Sequence, residues 1–167
     1  MTNVLIEDLR LLLVRDLRAF AREVDLCPDD DVLWRAVPGV TNTVGNLALH
    51  VSGNLRHYVG AILGGTGYVR DRPLEFSRRT GTRAEVRAEV EDAIGVVSRV
   101  LPGLQAEVLE RDYPEAALGV TLPTHLFLLH LATHLAHHLG QAGYLRRALT
   151  GDATSSGPIS MKDLAAG

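Results

Sequence analysis

The sequence predicts an all-α protein, a four-helix bundle with long crossover connections. Three observations carry that reading. Four segments hold apolar residues at helical spacing, no segment alternates as a half-buried strand does, and turn signals fall between the segments. Two connections are long, which favours a crossover topology over a pair of simple helical hairpins.

The first helix is expected from Asn3 to Asp25, where Val4, Leu5, Leu9, Leu12, Leu13, Leu17 and Phe20 recur at helical spacing before "CPDDD" ends it. "LWRAVPGVTN" is a connection, with Pro38-Gly39 as its turn signal. The second helix runs from about Thr43 to Leu63, with Thr41 or Asn42 as a candidate N-cap and "GGTG" at Gly64–Gly67 as its stop. A polar connection, "YVRDRPLEFSRRTG", follows, and ordered connections of that length are often functional. The third helix runs from about Arg83 to Leu101. Thr82 and Glu85 form a capping-box signature, and Pro102-Gly103 closes the helix. Residues 104–122, including "YPEAALGVTL", read as an extended excursion or a short hairpin. The fourth helix starts near Pro123, a residue favoured in the first turn, and ends near Thr150-Gly151. This places one bundle domain over residues 1–151. Residues 152–167 form a loosely ordered tail, with a short helical turn at its end.

The chain has 167 residues, enough for one domain with a real core. Its 46% hydrophobic and 22% charged residues are ordinary for a globular protein. A net charge of −3 gives no electrostatic case for nucleic acid or an acidic membrane surface. Cys27 is the only cysteine, so a disulfide within the chain and a cysteine-based zinc site are both excluded. The N-terminal sequence lacks the features of a signal peptide, and no apolar run approaches the ~20 residues that cross a bilayer. A cytoplasmic location is the expectation.

Chemistry concentrates in histidine. Five of the seven histidines fall between His125 and His138, around "THLAHHLGQ". At about 100° per residue, Phe127, Leu131, His134, His138, Gln141, Leu145 and Leu149 share one stripe. His134 and His138 are therefore expected to point inward together. His130 lies at the stripe's edge, and His125 and His137 are expected to meet solvent. An i, i+4 pair sets two imidazoles one turn apart on one face, a bidentate grip for a first-row metal. The plain alternative is a pair of core histidines satisfied by hydrogen bonds, although two stacked imidazoles are harder to bury than one. A third ligand would come from the second helix, which offers His50 and His57, seven residues apart on one side. Periodicity does not choose between them.

Several chemistries lack support. No Asp or Glu occurs from Thr41 to Gly67 or from Thr121 to Gly151, so a di-iron carboxylate site has no ligands. Leu135 stands where a zincin protease would carry its glutamate base. The glycines of "GNLALHVSG" and "GGTG" have neither a P-loop lysine nor a preceding strand.

Three stretches, "LWRAVPGVTNTVGNLALHVSGNLRHYVG", "LGGTGYVRDRPLEFSRR" and "HLATHLAHHLGQAGYLRRAL", resemble the DinB-like superfamily of bacterial four-helix-bundle metalloproteins. That superfamily includes thiol-dependent S-transferases and mycothiol-dependent maleylpyruvate isomerase. The resemblance covers the second helix, the loop after it and the fourth helix; the first and third helices match only in pattern. It implies His50, His134 and His138 as metal ligands, His50 being preferred because it follows "TVGNLAL". Gln141 is implied as a substrate contact or as a support for a ligand. The arginine common after the second fourth-helix ligand is Leu139 here, so no role of that arginine carries over.

What the resemblance implies is a divalent-metal-dependent enzyme. It is thiol S-transferase-like or an isomerase, with a low-molecular-weight thiol or water attacking an electrophile. The alternative is a non-catalytic, stress-related metal-binding protein. Zinc or nickel suits a neutral three-histidine set. Pocket candidates are His57, His130, Gln141, Arg70 and Arg72; the two arginines are placed to bind an anionic group at the mouth of the site. Trp34 and Tyr58 read as packing residues, and Cys27 as a small apolar one. The partners expected are a small-molecule substrate and a second copy in a homodimer, with no nucleic acid and no membrane.

Overall fold

The computed structural model describes residues 3–116 and 119–165. Helix α1, Val4–Asp25, is capped by Asn3, whose side chain accepts from the Leu5 amide. A single turn, α2 (Asp30–Leu33), lies in the following connection. Helix α3, Val44–Leu55, opens on a capping box between Thr43 and Asn46. The N-cap is thus Thr43 rather than Thr41 or Asn42, because only Thr43 has an Asn three residues on to return the bond. The helix continues as a π-helical stretch over Arg56–Leu63. Helix α4, Arg72–Ser77, forms inside the polar connection, with Asp71 as its cap. Helix α5, Arg83–Val100, starts at the Thr82–Glu85 capping box that the sequence predicts. Helix α6 is Ala106–Glu110. Helix α7, Thr124–Thr150, ends on Gly151 with φ 70°, a left-handed cap that glycine adopts without strain. The short α8 is Met161–Ala165.

No strand forms among the described residues. The excursion before α7 is closed by an isolated bridge between Asp112 and Pro123; residues 117–118 of it lie outside the described residues.

The long helices pack in a ring, α1 against α5 and α7, and α3 against α5 and α7. The connections from α1 to α3 and from α5 to α7 therefore cross the diagonal, whereas the long segment after α3 leads to a neighbour. A core of Leu13, Leu17, Phe20, Leu55, Leu128 and Leu135, all under 2% exposed, joins them.

Two features position the site. First, α3 is buried along its whole length, because α4 covers the face left free by α5 and α7. That explains why Val44–Leu55 carries no Asp, Glu, Lys or Arg: a helix enclosed on every side reads as uncharged all round. Second, α7 turns a broader and differently phased face inward than the sequence predicts. Leu128, Leu131, Leu135, Leu139, Ala142 and Arg146 are buried. His134 and His138 are half-buried, and Gln141 is exposed. The histidine stripe is the α3-facing flank of the buried face, not its centre, because α7 also packs on α1.

The segment after Gly151, expected to be loosely ordered, makes specific contacts. The Arg146 guanidinium donates to the Asp152 and Thr154 carbonyls, and Arg22 donates to the Ser156 carbonyl at 2.6 Å and to Asp163 at 3.2 Å.

Candidate metal centre

Helices α3 and α7 run antiparallel at their seam. His50 meets His134 and His138, and further along, in the π-helical continuation of α3, Tyr58 meets Phe127, earlier in α7. This arrangement brings one histidine of α3 against the i, i+4 pair of α7. His50 is 6% exposed.

The three imidazoles converge through like atoms. His50 Nε2 lies 3.2 Å from His134 Nε2, and His138 Nε2 lies 3.1 Å from the same atom. A ring nitrogen carries either one proton or one lone pair, so the His134 Nε2 cannot form two good hydrogen bonds at once. A cation resolves the conflict. Two nitrogens each 2.0–2.1 Å from one ion lie about 2.9 Å apart at a right angle and about 3.4 Å apart at the tetrahedral angle. The observed spacings fall inside that interval, so the donor set fits a first-row divalent ion. His50, His134 and His138 could hold a metal ion, and among the described residues no fourth His, Cys, Asp or Glu joins them.

Supporting groups fix which nitrogen faces the centre. Glu75 Oε2 lies 3.0 Å from His50 Nδ1. Arg70 grips the same carboxylate with two N–H groups, Nε to Oε1 and Nη2 to Oε2, both at 2.7 Å. Burial works to raise the Glu75 pKa, but the hydrogen bonds from His50 and Arg70 outweigh it and hold the carboxyl below its ordinary value. An ionised Glu75 accepts only. His50 therefore donates Nδ1–H to it and presents a bare Nε2 lone pair inward. The Arg70 Nη2 also sits 3.2 Å from His50 Nδ1, a proximity that follows from sharing one oxygen. On the other helix, Gln141 Oε1 lies 2.7 Å from His138 Nδ1 and orients that ring likewise.

Glycine makes the Glu75 contact possible. A Cβ at Gly53, one turn after His50, would collide with the Glu75 carboxylate. Phe76 packs on the His50 ring with centroids 4.6 Å apart, closing that side.

The electrostatics keep the two donors of α7 neutral. Burial, then the neighbouring His138, His50, His130 and Arg70, push the His134 pKa down to about 3. His138 is also lowered, chiefly by burial, although its bond to Gln141 opposes the shift. Neutral imidazole is the form a metal binds.

The other sequence candidates fall elsewhere. His57 is not brought to the cluster; its Nε2 lies 3.0 Å from Glu115 Oε1. His130 is exposed, one turn before His134, with ring centroids 5.9 Å apart. His137 is exposed as expected. His125 is not turned to solvent: its Nδ1 lies 2.9 Å from the Leu109 carbonyl and ties α7 to α6. Arg70 is not free at a site mouth, since Glu75 occupies its guanidinium. Arg72 starts α4, exposed, with its guanidinium over Phe76. Trp34 is 8% exposed and donates to the Gly81 carbonyl at 2.7 Å. Cys27 is fully buried, and burial pushes its thiol up to about 11, far from a nucleophile's range.

Sequence reasoning missed Glu75 and Gly53. The available signal was the one acidic residue inside "RPLEFS", between two segments rich in arginine. No helix among the described residues is long and apolar enough to cross a membrane. Neither the curated proteins nor the solved structures compared with the chain match it. Residues 12–142, a span that holds all three converging histidines and Glu75, match the DinB superfamily, and the chain belongs to that superfamily.

Proposed function

We propose that the protein is a divalent-metal-dependent enzyme of the thiol S-transferase type, with His50, His134 and His138 as its metal ligands. One observation supports this reading above the rest. Three imidazoles converge through their Nε2 atoms, two of them on half-exposed side chains, with no fourth donor among the described residues. Such a set leaves positions open for a small molecule, unlike a closed structural site. His50, His134 and His138 would hold a zinc or nickel ion, which would lower the pKa of a low-molecular-weight thiol or a water and so supply a nucleophile at neutral pH.

The chain's own residues prepare this chemistry. Glu75 and Gln141 hold the His50 and His138 protons on Nδ1, so both rings present lone pairs inward. Arg70 keeps Glu75 charged and fixed. Phe76 shields the His50 ring from water. His130, exposed beside His134, takes the proton that the thiol gives up.

The test is thiol consumption by protein loaded with zinc or with nickel, in the presence of a small-molecule electrophile. Transfer that requires metal and vanishes in His50→Ala is expected. Consumption no faster than in buffer, with one equivalent of metal bound, would instead mark a non-catalytic metal-binding protein.

A further inference from the structure

The seam between α3 and α7 continues past the histidines as a groove. Leu47 lies one turn before His50 on α3, and Gln141 lies just after His138 on α7. Because the helices are antiparallel, both positions are displaced from the cluster in the same direction. Both line a cavity of about 570 Å³, which is in the size range of small-molecule pockets. A helical turn advances about 5.4 Å, so the cavity begins one turn from the converging nitrogens. Its outer wall is the Val37–Val40 turn, closed by the Val40 amide on the Val37 carbonyl at 2.9 Å, with Gly39 at φ 80°.

The lining specifies the occupant. Val37, Val40, Leu47, Leu145 and Ala148 supply apolar walls, Thr41, Asn42 and Tyr144 add neutral polar edges, and among the described residues no charged side chain lines the cavity. An ionised group seated against those walls would lose part of its water and gain no opposite charge from the lining. The one polar group shared with the histidine cluster is Gln141. Its Oε1 is taken by His138 Nδ1–H, so its amide N–H₂ is the part left to meet a ligand. The matching ligand end is a hydrogen-bond acceptor such as a carbonyl or nitro oxygen.

We propose that this groove binds an uncharged, mainly apolar small molecule whose hydrogen-bond acceptor faces Gln141. That this molecule is the electrophile rests on the thiol-transfer reading above; the groove's preference for neutral ligands does not.

A matched pair of chloro-nitroaromatics tests the proposal: uncharged 1-chloro-2,4-dinitrobenzene and anionic 4-chloro-3,5-dinitrobenzoate. Binding to the zinc-loaded protein is measured by calorimetry without thiol. The uncharged compound is expected to bind about tenfold tighter or more. Ala148→Trp, which fills the groove from an exposed helix position, and Val40→Glu, which puts a charge on its wall, are each expected to weaken that binding by about tenfold or more. Metal content and melting temperature should stay unchanged in both. Equal binding of the two compounds, or binding untouched by both substitutions, would overturn the proposal.

Thiol transfer to 1-chloro-2,4-dinitrobenzene separates this proposal from the functional reading. In that reaction the carbon–sulfur bond forms, chloride leaves with its electron pair and the thiol proton passes by way of His130 to buffer. No transfer despite intact, substitution-sensitive binding would sink the transfer reading and support the groove. Transfer that is unaffected by Ala148→Trp would sink the groove and leave the transfer reading intact.

Discussion

Two polar clusters lie inside the helical body, and they differ in how far the protein satisfies them. Arg146 is fully buried, and its Nε donates to Glu23 Oε2 at 2.5 Å, with Glu23 only 2% exposed. Its remaining N–H groups reach the Asp152 and Thr154 carbonyls. Opposite charges cancel and the guanidinium donates on both sides, so the cluster is complete. The histidine cluster is incomplete. Its outer nitrogens on His50 and His138 are partnered, but their two inner lone pairs both turn to the single Nε2 of His134, which cannot satisfy both. A satisfied buried group holds structure together; convergent acceptors with at most one donor among them call for a ligand.

The comparison can be broken at either cluster. The largest stability effect is expected at the closed one. Arg146→Met leaves Glu23 charged and buried, a loss of about 3–5 kcal/mol, visible as a lower denaturant midpoint with or without metal. Joining it to Glu23→Leu should restore most of that loss, since no uncompensated charge remains. A double variant as unstable as the single would show that the pair contributes more than mutual neutralisation.

At the open cluster the effects fall on metal affinity. Glu75→Gln keeps the shape but substitutes a neutral acceptor, and the metal dissociation constant should rise about 10–100-fold. A competition titration with a chelating dye reads this, and an unchanged constant would remove Glu75 from the centre. Gly53→Ala should act in the same direction but less strongly, because the new methyl displaces the Glu75 carboxylate without deleting it.

A further effect concerns protons. His134 has a folded pKa near 3 and an unfolded one near 6.5. Between those values the unfolded chain binds more protons, so the metal-free protein loses stability as pH falls from about 6.5 toward 3. His138, also lowered, adds to the same trend. Urea midpoints of the metal-free protein at pH 7.5 and 4.5 measure the slope. His134→Leu should flatten it, and an equal slope in the variant would place the acid sensitivity elsewhere.

Legibility in the sequence followed length and pattern. The long helices and the Thr82–Glu85 cap were readable because periodicity and capping are local signals. Residues alone left His50 and His57 equivalent, since a helical wheel does not say which neighbour covers which turn; the superfamily resemblance favoured His50, and the seam brings that histidine to the pair. The phase of α7 was misread because Phe127, Leu131 and Leu145 are buried on the same flank as the histidines, while the contact with α1 extends the face beyond them. Helix α4 is six residues long, too short for a periodic signal. The Arg70–Glu75 pair matters only once that helix folds over α3. The missing carboxylates of α3 leave a di-iron site without ligands, and their physical cause is the enclosure of that helix on all sides.

The most direct measurement is metal content per chain by elemental analysis, on protein never exposed to a nickel column, in wild type, His50→Ala, His134→Ala and His57→Ala. About one equivalent is expected in wild type and His57→Ala, and none in the other two. Metal retained without His50, or absent from wild type even after reconstitution with zinc or nickel, would contradict a centre built between α3 and α7.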